Sequence, residues 1–119
     1  MNKQDFLKQI KDASKCQEKI ESVSNNYKAD LEETLENLIS QTDEIGFIED
    51  DIRLLAFSEI CNPKELLGYD FILEGLIPIF DIFDNTYVVY EVERKKWARF
   101  NISDEILYKE NDCIENVLP

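Results

Sequence analysis

The stretch Gly75 to Ile102 limits the choice of fold more than any other part of the chain. It carries three apolar or alternating runs, Leu76-Ile77-Pro78-Ile79-Phe80, Tyr87-Val88-Val89-Tyr90-Glu91-Val92 and Trp97-Ala98-Arg99-Phe100, broken at Asp84-Asn85 and at Arg94-Lys95-Lys96. Short β-rich runs with turn residues between them predict an antiparallel three-strand meander. Pro78 has no N–H to give to a ladder. The strand Leu76 to Phe83 must therefore lie at a sheet edge, begin near Pro78, or bulge there. Asp84-Asn85 suits a two-residue hairpin connection. With side chains alternating along a strand, Tyr87, Val89, Glu91 and Glu93 share one face of the middle strand, and Val88, Tyr90 and Val92 the other. Trp97, Arg99 and Asn101 alternate with Ala98, Phe100 and Ile102 in the same way. One face is expected to pack on helices and the other to be amphipathic and reachable.

The chain before the meander has mostly helical spacing. Phe6, Leu7, Ile10, Ala13, Cys16, Ile20 and Val23 predict one amphipathic helix over Asp5 to Val23. Ser24-Asn25-Asn26 reads as a turn and capping cluster. Tyr27, Leu31, Leu35, Leu38 and Ile39 then predict a second helix from Tyr27 to about Ser40. Gln41 to Asp51 reads as a loop, with room for a short strand, and Ile52 to Phe57 as a first sheet strand. Ser58 is positioned to cap a helical stretch that Pro63 divides into two turns and Gly68 closes. Past Ile102 the pattern weakens: Ser103 to Asp112 reads as a loop or irregular helix, and Cys113, Ile114, Val117 and Leu118 as a short closing helix. The expected fold is α+β: an antiparallel sheet of four or slightly more strands, packed against N-terminal helices and a short C-terminal helix.

A chain of 119 residues suits a single domain, 1–119, able to bury about 65% of its unfolded surface. Its 26 Asp and Glu against 13 Lys and Arg give a formal charge of -13. Nucleic acid and anionic membrane surfaces would be repelled by that field, because binding to either draws on Lys and Arg, whereas a basic protein would be steered in. Cys16, Cys61 and Cys113 are odd in number and widely spaced, which points to a reducing compartment rather than a disulfide framework. No apolar leader or run of ~18 apolar residues is present. A cytoplasmic protein is expected.

Histidine is absent, which removes Ser-His-Asp and Cys-His catalysis and His-bearing zinc sites. Carboxylate pairs such as Asp81 with Asp84, or Glu91 with Glu93, are the remaining route to acid–base chemistry. Close acids are also what chance supplies in so acidic a chain. Glu49-Asp50-Asp51 lacks the alternating spacing and glycine of a calcium loop. Gly46, Gly68 and Gly75 stand alone, outside any phosphate-cradling motif. No cofactor and no metal are expected.

Three segments carry a family resemblance. Ser24-Asn25-Asn26-Tyr27-Lys28-Ala29-Asp30-Leu31, Ile52-Arg53-Leu54-Leu55-Ala56-Phe57-Ser58-Glu59-Ile60 and Leu76-Ile77-Pro78-Ile79 resemble, in order and spacing, motifs of the SUKH superfamily of cell-wall-regulator and immunity-protein domains. The likeness runs through most of residues 20 to 118. This chain has Ser24 where the family usually has proline, lacks the Asn-Gly that often follows the helix, and lacks a glycine in Phe80-Asp81-Ile82-Phe83.

The resemblance implies a non-enzymatic α+β domain that binds a protein, in many members a toxin delivered between bacteria. Together with the charge it gives the expectation of an immunity protein that covers the basic surface of a toxin, such as a nuclease. The expected contact residues are Glu49, Asp50, Asp51, Asp81, Asp84, Glu91, Glu93 and Trp97. Two alternatives stay open: a scaffold or regulatory adaptor of the same fold that binds a cellular protein, and a small hydrolase if two acids converge in a closed pocket.

Overall fold

The computed structural model describes residues 2–119. Six strands form one antiparallel sheet in strict sequence order: β1 Phe47–Glu49, β2 Ile52–Leu54, β3 Leu76–Asp81, β4 Thr86–Glu91, β5 Lys96–Asn101 and β6 Ile106–Asn111. The helices are α1 Lys3–Lys11, α2 Gln17–Tyr27, α3 Glu33–Ser40, α4 Phe57–Cys61, α5 Pro63–Leu66 and α6 Phe71–Glu74, with a 3-10 turn over Ile114–Asn116. The α+β class stands, with the expected meander occupying β3 to β5. Pro78 lies inside β3, and the ladder with β4 slips between Pro78 and Phe80. A bulge there accommodates the missing N–H in a strand that is not at an edge. Gly75, at φ +68, ends α6 and turns the chain into β3, and its carbonyl accepts the N–H of Val92.

Both faces of the sheet are covered. Phe80 and Val88 are cross-strand partners, and Phe80 meets Phe6 of α1 edge to face with ring centres 6.0 Å apart. Tyr87, the next residue along β4, points the other way and meets Phe71 of α6 at 5.5 Å. Phe71 and Tyr69 also pack on Phe100, at 6.0 and 5.1 Å. α1 and α6 thus lie on opposite faces, and every residue of β4 is buried. The expectation of a reachable outer face on the middle strand is corrected. The segment 57–74, built from the three short helices α4 to α6, supplies the aromatic layer that closes that face.

Other expectations are also corrected. The single helix over Asp5 to Val23 is two helices: after Lys11 the chain leaves helical geometry, and the Cys16 N–H bonds to Ser40 Oγ at 2.9 Å. Ser24-Asn25-Asn26 lies inside α2. The reversal falls at Lys28, in the left-handed region at φ 52, with Ser24 Oγ donating to the Ala29 carbonyl. The following helix begins at Glu33, capped by the Glu32 carboxylate accepting the Leu35 N–H at 2.8 Å. β2 ends at Leu54, and Phe57 already belongs to α4. The expected loop or irregular helix over Ser103 to Asp112 is mainly β6. This strand has only one neighbour and is mostly exposed, and Lys109 breaks it at φ 57, so its apolar alternation is weak.

Candidate acidic end of the sheet

In an antiparallel meander alternate connections fall at the same end. Here the β1–β2 turn (Asp50, Asp51), the β3–β4 connection (Ile82 to Asn85) and the β5–β6 connection (Ile102 to Glu105) are gathered at one end. Hydrogen bonds join the last two: Ile102 N–H to the Asn85 carbonyl at 2.9 Å, Asn85 Nδ2 to Ser103 Oγ at 2.9 Å and Asn101 Nδ2 to the Asp84 carbonyl at 3.1 Å. The three connections carry the exposed carboxylates of Asp50, Asp51, Asp84, Asp104 and Glu105 and no Lys or Arg. The opposite end bears the β4–β5 turn, with Arg94 and Lys95 exposed. That end also carries exposed acids, Glu93 in the same turn and Glu110 and Asp112 paired with Arg94 and Lys96, so what sets the first end apart is that its turns hold acids and no cation.

The cation closest to the acidic end along the strands, Arg53 of β2, is already committed. Its Nη1 lies 2.8 Å from Glu59 Oε1 and its Nη2 lies 3.4 Å from Asp81 Oδ2. Burial works against the Glu59 carboxylate. The hydrogen bonds from Arg53 and from the Ala56 N–H, with the guanidinium charge, outweigh it and hold the Glu59 pKa below its usual value. The same hydrogen bond to Glu59 raises the Arg53 pKa. Asp81 Oδ1 accepts the Phe83 N–H at 2.9 Å. Asp81 is thus a brace for the β3–β4 connection more than a free contact.

Asp84-Asn85 are the central pair of the expected two-residue turn, closed by the Thr86 N–H to the Phe83 carbonyl at 3.0 Å, and the residue before them shares their unusual backbone. Phe83, Asp84 and Asn85 all have positive φ, at 73, 53 and 59 degrees. Asn and Asp tolerate this region, but an aromatic residue there is held against its own preference by the surrounding bonds. Phe83 is also 47% exposed, in the central one of the three turns. A large apolar ring set among carboxylates combines what a binding hot spot uses: an anchor and a charged rim.

The eight expected contact residues divide. Asp50, Asp51, Asp81 and Asp84 come together at the acidic end. Glu49 is next to them, with its Oε1 accepting the Lys3 N–H at 3.2 Å. Glu93 lies at the far end, exposed in the β4–β5 turn. Glu91 and Trp97 are 6% and 1% exposed and are corrected as contact residues, because their side chains are spent inside the fold. Trp97 packs edge to face on Tyr90 at 5.1 Å and forms part of the wall of a cleft of about 580 Å³ between α1 and residues 112–115. Phe83, Asp104 and Glu105 were not among the residues singled out from sequence. Asp104 and Glu105 fall where the strand pattern fades, and Phe83 reads as the last apolar residue of a strand. The signal for Phe83 is its place directly before Asp84-Asn85.

Glu91 does meet a second acid, Glu110 of β6. Burial first, then the hydrogen bond and charge of Glu110, push the Glu91 pKa up to about 7. Surface clefts of about 570, 580 and 300 Å³ are lined by other residues, so none of these clefts gives a substrate access to the pair. Among the described residues, no group of three or more His, Cys, Asp or Glu side chains is placed to hold a metal ion, and no helix is long and apolar enough to cross a membrane.

The chain matches no protein-family model, no curated protein and no solved structure.

Proposed function

We propose that this protein is a binding domain for a basic protein, and specifically an immunity protein that neutralises a bacterial toxin by covering the toxin's cationic surface. The observation that carries the reading is the acidic end of the sheet: three turns with five exposed carboxylates, no Lys or Arg, and Phe83 exposed in the middle one. A nuclease toxin holds phosphates with Lys and Arg, and such a surface complements this one. The motif resemblance supports the immunity reading over other basic partners. Covering the site blocks substrate without any chemistry on this chain. Glu49, Asp50, Asp51 and Asp84 form the rim, Asp81 braces it, and Phe83 inserts.

The test is co-expression with the product of the adjacent gene, followed by pull-down at low and high salt. A toxin that co-purifies, is neutralised, and dissociates faster with salt agrees with the proposal. Recovery of a housekeeping protein instead would make the domain an adaptor. Failure to protect cells from any adjacent toxin would end the immunity reading.

A further inference from the structure

We propose that Glu91 and Glu110 form a proton-operated latch that holds the edge strand β6 to the rest of the sheet. Glu91 is on β4 and Glu110 on β6, two strands away, with the small Ala98 of β5 in the region between them. Glu91 Oε2 is sealed from solvent and has no hydrogen-bond partner as a carboxylate. A buried, unpaired carboxylate oxygen is costly, whereas a protonated one becomes a donor. The acceptor at hand is Glu110, so one proton held between the two carboxyl groups supplies the missing bond and removes the like-charge repulsion.

The surrounding cations do not fill that role. Arg94, from the β4–β5 turn, lies with Nη1 3.0 Å from Glu110, and Lys96, the β5 partner of Glu91, lies with Nζ 3.4 Å from Asp112. Both lower the Glu91 pKa, but less than burial and Glu110 raise it. From β3 the register partner is Leu76, which is apolar. Glu74, ending α6, and Glu93, in the turn, are exposed. Among the described residues Glu91 therefore has Glu110 as its route to a hydrogen bond, and only while a proton is present. When the proton leaves, two carboxylates confront each other at the C-terminal half of β6, directly after Lys109, whose left-handed backbone already interrupts the ladder. That half of the edge strand then loosens.

The experiment is a pH titration of the full chain from pH 5 to 9, following glutamate side-chain carboxyl carbons by NMR and amide-exchange protection factors along β6. The latch requires Glu91 to titrate near neutrality. It also requires protection of the β6 amides paired with β5 to fall by up to about tenfold per pH unit from pH 5 to the Glu91 midpoint, and to level off above it. In Glu110→Gln, at an exposed position, the Glu91 midpoint drops and β6 protection changes less with pH than in the wild type, burial of Glu91 alone remaining. Glu91→Gln, whose amide donates permanently, keeps β6 protected at pH 9. A Glu91 midpoint in the ordinary carboxylate range, or wild-type β6 protection that does not change between pH 5 and 9, overturns the proposal. Glu110→Gln decides the matter alone if Glu91→Gln does not fold.

Discussion

Arg53 Nη1 lies 2.8 Å from Glu59 Oε1, and the same guanidinium reaches Asp81 Oδ2 at 3.4 Å, so one side chain joins β2, the first turn of α4 and the end of β3. Glu59 also accepts the Ala56 N–H at 2.8 Å, satisfying a donor at the start of α4. All three partners are partly buried, which places the cluster above an exposed ion pair in value and below a dry one. Glu59→Ala is expected to cost about 1–3 kcal/mol at pH 7, measured by urea unfolding. The Glu59 pKa is lowered by folding. Its contribution is therefore complete above the unfolded carboxylate value of about 4.3 and is lost as pH falls through the lower folded value. The gap between wild type and Glu59→Ala should accordingly close on acidification below about pH 4.3, and a gap that stays constant down to pH 2 would contradict the ion-pair account.

Phe71 is fully buried and is the hub of the aromatic layer, touching Tyr69, Tyr87 and Phe100 at 5.0, 5.5 and 6.0 Å. α6 is only four residues long and cannot be stable on its own propensity. Its place on the sheet therefore comes from this ring. Phe71→Ala is expected to destabilise by about 3–5 kcal/mol, a loss that equilibrium unfolding would register directly. Phe71→Leu, which keeps most of the volume, should lose less than half as much.

Phe83 at φ 73 is strained, exposed and braced by Asp81, and strain of this kind is kept where function needs it. Phe83→Asn places a residue that tolerates the left-handed region in the same turn and is expected to raise stability by roughly 0.5–1 kcal/mol. The same change should weaken binding to the basic partner, since the anchor is gone. Thermal unfolding and a pull-down on the one variant separate the two effects. A variant that loses stability as well as binding would show that Phe83 supports the fold instead.

The meander was legible because three strands in a row carry residues that suit a half- or fully buried pleat, from Leu76 to Phe100. Its acidic end was legible only in part. Asp50, Asp51 and Asp84 stood out as acids, but that they share one end follows from β1 pairing with β2, and β1 is three residues long. β6 was hidden because an edge strand needs no continuous apolar face, and Lys109 breaks its alternation. Glu91 read as surface because a glutamate on a strand is usually solvated. The aromatic layer from Tyr69 and Phe71 buries that face of β4, and such a long-range covering leaves no local trace in the pattern. The break between α1 and α2 was hidden for a similar reason: Ser40, 24 residues away, binds the N–H of Cys16.

The acidic end predicts an effect that net charge alone does not. Asp50→Lys, Asp84→Lys and Asp104→Lys together change the charge by three times +2, from -13 to -7. Asp50 and Asp104 are exposed, so their single changes should alter stability by within about 0.5 kcal/mol, whereas Asp84→Lys, at φ 53, loses the tolerance of aspartate for that region and should cost about 1 kcal/mol. Glu18→Lys, Glu21→Lys and Glu115→Lys make the same change in total charge at exposed positions of α2 and the C-terminal turn. If the basic partner docks on the three turns, the first set should slow association by about tenfold or more at low salt and flatten its salt dependence, while the second set leaves the dissociation rate near wild type and slows association only mildly. Stopped-flow or surface-based kinetics at several salt concentrations would distinguish them. Equal effects from both sets would mean that the partner responds to overall charge, and that the sheet end is not its docking surface.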